Sequence, residues 1–304
     1  MEGQRNQEAA AAHQPGPRGE RLAERRLAEV APIATQANLS TAGTMMVVRQ
    51  EGWKEVKVVA ISEVRSRPPS ARSSAPPSRR DADPLVELSS HSYQAGLWDA
   101  DTMALHQYAE GLRRGLDYYL KRSSVNDGAL WIKRITDLNF PQVPQIVDWS
   151  HAAEHLWAVA HAVYGEHPPA AKDWAEQQLD SLWNDQVADG VTALLDLDLQ
   201  QPQWLAIVQE APEYFRTNQA RMRYAHFRTR GYPISSGTVE SAANTVVHHR
   251  LRRPGRGWAR TNGQAMLAGL SELHSGRFEY TWLACPKTEK LPTVLRYTPG
   301  LPAA

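Results

Sequence analysis

The sequence predicts a mixed α/β fold from three observations: two adjoining β-branched runs, a strand–helix–strand order in the middle, and a long helical stretch after position 151. The runs LSTAGTMMVVR and WKEVKVVAISEV are separated by RQEGW, a pattern typical of a hairpin. The chain has 304 residues and is 42% hydrophobic, which is enough to build a core. We therefore expect a sheet that combines antiparallel and parallel strands.

The early part of the chain divides by composition. Residues 1–36 are rich in Ala, Gln, Glu and Arg and lack an apolar face, so we expect a disordered or remnant segment. Residues 37–150 are expected to form the first part of the core. Within them, residues 65–84 are rich in Pro, Ser and Arg and should form a loop. The following run, PLVELSSHSY, fits a third strand.

The middle of the chain alternates between helix and strand. Apolar residues at helical spacing predict a helix from about Asp99 to Lys121, and a short strand should then end at the turn formed by Asn126, Asp127 and Gly128. ALWIKRITDL restarts as a helix, and PQIVDW reads as a short buried strand. Strand, helix and strand in this order suggest a parallel crossover.

Almost everything after His151 has a helical pattern up to Arg230. We interpret residues 151–230 as an all-α insertion that interrupts the sheet. Residues 231–283 should then supply a C-terminal core helix and a basic segment, and residues 284–304 a tail.

Composition also bears on the compartment. Cys285 is the single cysteine, so no internal disulfide forms and a reducing compartment is expected. The N-terminus lacks the apolar run of a secretory signal, and no stretch reaches the roughly 18 apolar residues of a spanning helix. We expect a cytoplasmic, bacterial protein with no membrane role.

Charge is distributed very unevenly along the chain. The net charge is +1, yet the segment from Arg216 to Arg260 holds ten arginines and a single acid, Glu240. That segment carries +9, so the rest of the chain carries −8. Focused positive charge favours phosphate binding, because neutralising phosphates releases condensed counterions. A solvated arginine-rich face is the alternative.

Two acids follow the two middle strands. Asp127 lies at the end of a predicted strand, where ligands gather in α/β sheets, although without further context an ordinary turn aspartate is the preferred interpretation. Asp148 and His151 follow the next strand as D-W-S-H. Their alternative interpretation is a helix cap with His151 in the first turn.

Glu240 falls in the first or second turn of a helix predicted from GYPISSGTVESAANTVVHHRLRR. Asn244 and His248, four and eight residues later, should share its face. Helix-dipole stabilisation alone accounts for an acid at this place. Its position inside the +9 segment instead favours a metal-binding carboxylate beside DNA phosphates.

Three blocks in order carry a resemblance to a known family. RMRYAHFRTRGYPISSGTVESAANTVVHHRLRRPGRGW, NDGALWIKRITDLNFPQVPQIVDWSHAAEHLW and EGWKEVKV are similar to segments of ISKra-type insertion-sequence transposases, which are DDE transposases. The resemblance spans about Leu39 to Trp282. It implies a ribonuclease-H-like core, two Asp and one Glu around Mg²⁺ or Mn²⁺, and DNA strand cleavage and transfer by phosphoryl transfer.

Carried over to this chain, the resemblance makes Asp127 the second acid and Glu240 the third, both metal ligands. Asp148, His151 and Asn244 would support the site. Transposon-end and target DNA would be the partner, and a homodimer is compatible with this. The DNA-binding residues would be six arginines: Arg223, Arg230, Arg250, Arg252, Arg253 and Arg256.

The chain departs from the family at the first acid. The family has Asp-Gly-Thr on its first strand, and this chain has Ala42, Gly43 and Thr44 there. Ala42 cannot bind a metal, so we expect an impaired, truncated transposase. The alternatives are a non-catalytic DNA-binding protein and a non-functional relic.

Overall fold

The computed structural model describes residues 35–66, 86–165, 168–197, 205–253, 255 and 257–284. The chain divides into two units, Pro32–Gly276 and the two terminal segments Met1–Ala31 and Arg277–Ala304. Most of the predicted N-terminal segment, of the Pro/Ser/Arg-rich loop and of the tail lies outside the described residues. Of the terminal unit, the described part is one helix with its preceding turn.

Five strands form one mixed sheet, as predicted. Their order is β3-β2-β1-β4-β5. β1 is antiparallel to β2 and β2 to β3, whereas β1, β4 and β5 run parallel. The bounds are β1 Gln36–Val48, β2 Gly52–Ser66, β3 Val86–Gly96, β4 Lys121–Asn126 and β5 Gln145–Val147.

The hairpin predicted between the first two strands is present and tight. Val48 pairs with Gly52 at its end, and the turn places Gln50 and Gly52 at positive φ, 66° and 75°. Glycine adopts such a φ at little cost, so the turn is favoured by sequence. The strands extend slightly beyond the predicted limits, since β1 already begins at Gln36 and β2 continues to Ser66.

The helices that the structure describes belong to both units. In chain order they are α1 Ala100–Arg113, α2 Leu130–Asn139, α3 Trp149–Tyr164, α4 Pro169–Trp183, α5 Val187–Leu195, α6 Leu205–Asn218, α7 Tyr224–Thr229, α8 Gly237–Ala242, α9 Arg260–His274 and α10 Phe278–Ala284. After α8 the chain continues directly through a π-helical segment, Ala243–His248, and a last turn, His249–Leu251.

The helix predicted from Asp99 to Lys121 is shorter than expected. α1 ends at Arg113 because Gly115 adopts a left-handed conformation, φ 60°, and its N–H bonds to the carbonyl of Leu112. A 3-10 turn, Leu116–Tyr118, then leads into β4. The apolar periodicity continued past the true end because Leu116 is buried in that turn.

Three apolar clusters place the helices. α1 and α2 cover one face of the sheet through Met103 and Ile135, against Leu39 and Ile61. The opposite face is covered by α8, the π segment and α9, which pack on Met46 and neighbouring strand residues. The helices α3–α7 share a separate core with the apolar residues of β4 and β5. The predicted helical stretch after His151 is thus present in the described residues.

Candidate active site at the ends of the parallel strands

Three of the positions predicted from the sequence lie near the same edge of the sheet. Leu39 pairs with Ser124 across β1 and β4, and the Thr41 N–H bond to the Asn126 side chain lies one residue before Ala42 and Asp127. Asn126 pairs with Val147 across β4 and β5, and the next residues are Asp127 and Asp148. Ala42, Asp127 and Asp148 therefore follow the last contacts between the parallel strands, at the edge where α/β sheets bind ligands.

Ala42 lies on the face of the sheet that carries α8. It pairs with Val58 and packs against the cluster that contains Val239, Val246 and Val247. The backbone N–H of the preceding residue, Thr41, donates to the Asn126 side chain at 2.6 Å. That bond continues the connection between β1 and β4 beyond their last paired residues.

Asp127 forms the local turn that was its alternative interpretation. Its Oδ1 accepts a hydrogen bond from the Ala129 N–H at 2.9 Å. Its carbonyl accepts from the Tyr214 hydroxyl at 3.4 Å, and Arg221 donates to the next carbonyl, that of Gly128, at 3.2 Å. Helix α6 and the turn after it therefore hold the Asp127 turn in place, while the aspartate remains at the strand edge.

Asp148 caps α3, as its alternative interpretation proposed. It is fully buried, its Oδ1 accepts from the His151 N–H at 3.0 Å, and its Oδ2 accepts from the Ser236 N–H. Beside it, the Trp149 N–H donates to the Ile234 carbonyl at 2.9 Å. Asp148 thus ties the end of β5 to the loop that begins α8, and both of its oxygens are engaged in doing so.

Glu240 lies in the first turn of α8, where the sequence predicted it. Its side chain is 54% exposed, and Oε1 is 3.3 Å from Ser236 Oγ and 3.9 Å from His151 Nε2. His151 Nδ1 lies 3.4 Å from Glu154 on its own helix. His151 therefore connects the start of α3 with the Glu240 carboxylate.

Asn244 lies in the π segment rather than in a continuous α-helix. Its Oδ1 is 2.8 Å from His248 Nδ1, and His248 Nε2 is 2.6 Å from Thr44 Oγ1. The predicted shared face of Asn244 and His248 is present, and it leads to β1. Burial, together with Arg252 and His249, lowers the pKa of His248.

Tyr214 and His155 belong to the same neighbourhood, and no motif in the sequence pointed to them. Their rings stack with centroids 3.9 Å apart. Burial and, secondarily, Asp127 hold the pKa of Tyr214 well above its usual value. Burial and the nearby His151 lower the pKa of His155. The negative charge of Asp127 therefore contributes to the raised pKa of the half-buried Tyr214 hydroxyl.

Ala42 occupies the position of the first carboxylate ligand in the Mg²⁺ or Mn²⁺ centre that the resemblance implies. Among the residues that the structure describes, no group of three or more His, Cys, Asp or Glu side chains could hold a metal ion. Position 42 offers a methyl group, and both Asp148 oxygens accept backbone N–H bonds. Mg²⁺ and Mn²⁺ are hard cations that bind several oxygen ligands, carboxylates among them.

The arginines of the basic segment fall into two groups. Arg221 is buried, Arg228 is half-buried over the Trp183 ring, and Arg260 pairs with Glu51 at 2.6 Å. The +9 segment is therefore not one solvated face. Five of the six predicted DNA-binding residues are exposed, Arg223, Arg230, Arg250, Arg252 and Arg253, and Arg256 lies outside the described residues.

No protein-family model and no curated protein matches the sequence. A solved structure that resembles the chain is the Drosophila P element transposase strand transfer complex, at 10% identity and a TM-score of 0.24. The match covers 82% of this chain and 66% of the other. At that score the likeness carries no argument for a shared fold or function.

In the part of the chain that the structure describes, no helix combines the length and apolar character needed to cross a membrane. The fold and site together define an α/β protein with acidic residues at the carboxyl edge of its parallel strands and exposed arginines late in the chain.

Proposed function

We propose that this chain is a DNA transposase of the ISKra insertion-sequence type whose strand-cleavage chemistry is impaired at position 42 and whose DNA-binding arginines are retained. The observation that supports the proposal most is the bond between Thr41 and Asn126, the residues that precede Ala42 and Asp127. The position of Glu240 at the start of α8, 3.9 Å from His151, supports it.

The fold is compatible with this proposal. A mixed sheet ordered β3-β2-β1-β4-β5, with three antiparallel and then parallel strands, supports a ribonuclease-H-like core. The helices α3–α7 lie between Asp127 and Glu240 in the sequence, as an all-α insertion would. A divalent metal would supply charge stabilisation at the phosphorus centre in such enzymes. Here the side chains present do not complete a site for it.

Replacing Ala42 by Asp tests the proposal directly. The new carboxylate would lie beside Asp127, and two neighbouring carboxylates without a cation repel each other. We therefore expect the variant to melt below the parent in chelator. With Mg²⁺ at a hundred times its dissociation constant, the free energy of unfolding should rise by about 2.7 kcal/mol.

The matched control is Ala42→Asn, which has nearly the same size and no charge. Differential scanning calorimetry with and without Mg²⁺ measures the shift, and a nicking assay on DNA that carries the element's ends follows. A Mg²⁺ response of Ala42→Asp no larger than that of Ala42→Asn contradicts the assignment of position 42.

A non-catalytic DNA-binding protein is the second candidate, because the exposed arginines remain while Ala42 offers no metal ligand. This candidate predicts salt-sensitive duplex binding by the parent and no metal-dependent nicking even after Ala42→Asp. The two candidates therefore diverge at the nicking step, with binding shared by both.

A further inference from the structure

An exposed tryptophan lies at the tip of the β1–β2 hairpin, away from the acidic edge described above. Trp53 follows the turn at Gly52 and is 55% exposed. Such exposure is unusual for the largest apolar side chain, and it marks a candidate contact site.

Cations surround this ring. The Arg252 guanidinium carbon lies 5.4 Å from the Trp53 ring centroid, within cation–π range. Arg250 lies 5.9 Å from the ring of Trp258 in the same region. Arg49, which contacts Gly257, and Arg253, the sequence neighbour of Arg252, are also exposed. The acid of the hairpin turn, Glu51, is paired with Arg260 at 2.6 Å.

The hairpin and the basic loop are fixed to each other. The Trp258 N–H donates to the Val47 carbonyl at 3.1 Å, and the Arg49 N–H donates to the Trp258 carbonyl at 2.8 Å. The Arg49 side chain also donates to the Gly257 carbonyl at 2.7 Å. These bonds fix the end of the hairpin, with Arg49, to the backbone of Gly257 and Trp258 before any ligand binds, which lowers the entropic cost of binding.

We propose that Trp53, flanked by Arg252, is a stacking platform for an unpaired nucleotide of the bound DNA. The proposal rests on the proposed function in taking DNA as the ligand. Every base has a π face that stacks on an aromatic ring, and arginines neutralise the neighbouring phosphates. In a duplex the bases are stacked on each other and cannot reach the ring. Arginines bind the phosphates of both forms of DNA, so they alone would not prefer single strands. The Trp53 ring supplies that preference.

The test compares binding of labelled oligo-dT and of a duplex of equal length by fluorescence anisotropy. Stacking on one aromatic side chain corresponds to roughly tenfold in affinity, so Trp53→Ala should weaken oligo-dT binding by about that factor. Duplex binding should change by less than about twofold, because the arginines stay. Trp53→Phe, which keeps an aromatic face, should retain most of the affinity for oligo-dT.

The matched control is Tyr118→Ala. Tyr118 is an exposed aromatic residue in the turn that precedes β4, at the opposite end of the sheet from the hairpin. Its removal should leave both affinities unchanged.

Three results would overturn the proposal: no difference between Trp53→Ala and the parent on oligo-dT, an equal loss on duplex and single strand, or tighter Trp53-dependent binding of oligo-U than of oligo-dT. None of these bears on the Mg²⁺ response of Ala42→Asp, so this inference and the proposed function fail separately.

Discussion

Replacing Asp148 by Ala should destabilise the fold far more than loss of an ordinary helix cap. The carboxylate caps α3 through the His151 N–H, and loss of such a cap costs about 1 kcal/mol. It also accepts the N–H of Ser236, which is buried. Leaving that donor unsatisfied adds about 1–3 kcal/mol, so we expect a total loss of about 2–4 kcal/mol.

The assay is urea unfolding of the full chain followed by circular dichroism, with Asp99→Ala as the matched control. Asp99 caps α1 by accepting the Thr102 N–H at 2.7 Å, and it does so on the exposed surface with no second strand end to hold. Its loss should cost about 1 kcal/mol. Equal destabilisation by the two variants would refute the role of Asp148 in fixing the loop before α8.

Three further predictions concern charge. The triple variant of Arg250, Arg252 and Arg253 to Ala should bind duplex DNA more weakly and with a shallower salt dependence, measured by anisotropy between low and physiological salt; an unchanged slope would mean a merely solvated face. Arg221→Ala should lower the free energy of unfolding by about 2 kcal/mol or more, because the buried Gly128 carbonyl loses its hydrogen-bond donor. The control Arg216→Ala breaks the exposed pair with Glu213 and should change the free energy of unfolding by less than about 1 kcal/mol in the same urea assay. Burial lowers the pKa of His155 and of His248 below the usual 6.5, so the unfolded state binds more protons than the folded state in acid. The free energy of unfolding should therefore fall as the pH drops from about 7 to 5, and His155→Gln should make this fall smaller. A free energy of unfolding that rises in acid would contradict the assignment.

The sequence predicted the elements better than their ends. The hairpin was foreseeable because β1 and β2 are β-branched runs close together in the sequence, separated by a short turn segment. The end of α1 was not, because Leu116 keeps the helical apolar spacing while Gly115 turns the chain. The π segment after α8 was not foreseeable, because the low helix propensity of its Asn, Thr and Val residues does not distinguish a π turn from an α turn.

The candidate site was foreseeable only as far as strand ends are. Asp127 and Asp148 each follow a strand, and parallel strands bring such residues together. That both Asp148 oxygens serve backbone N–H groups depends on the distant Ser236, which no spacing reveals. The count of arginines likewise overstated the basic surface, because Arg221 is buried against a carbonyl 93 positions away.

The alanine at position 42 is compatible with the fold, and this bears on what the chain retains. Its methyl group packs against the apolar cluster under α8, next to the level of Asp127. An aspartate there would add a second carboxylate to that level, which is stable only beside a cation or in protonated form. Without bound metal, alanine is therefore the more stabilising residue at this position. Arg250, Arg252 and Arg253 follow the π segment, and the nearby Trp258 is bonded to Val47 of β1 rather than to residue 42. Under the proposed function, residue 42 bears on cleavage and the exposed arginines on binding, so DNA affinity should be the same in the parent and in Ala42→Asn.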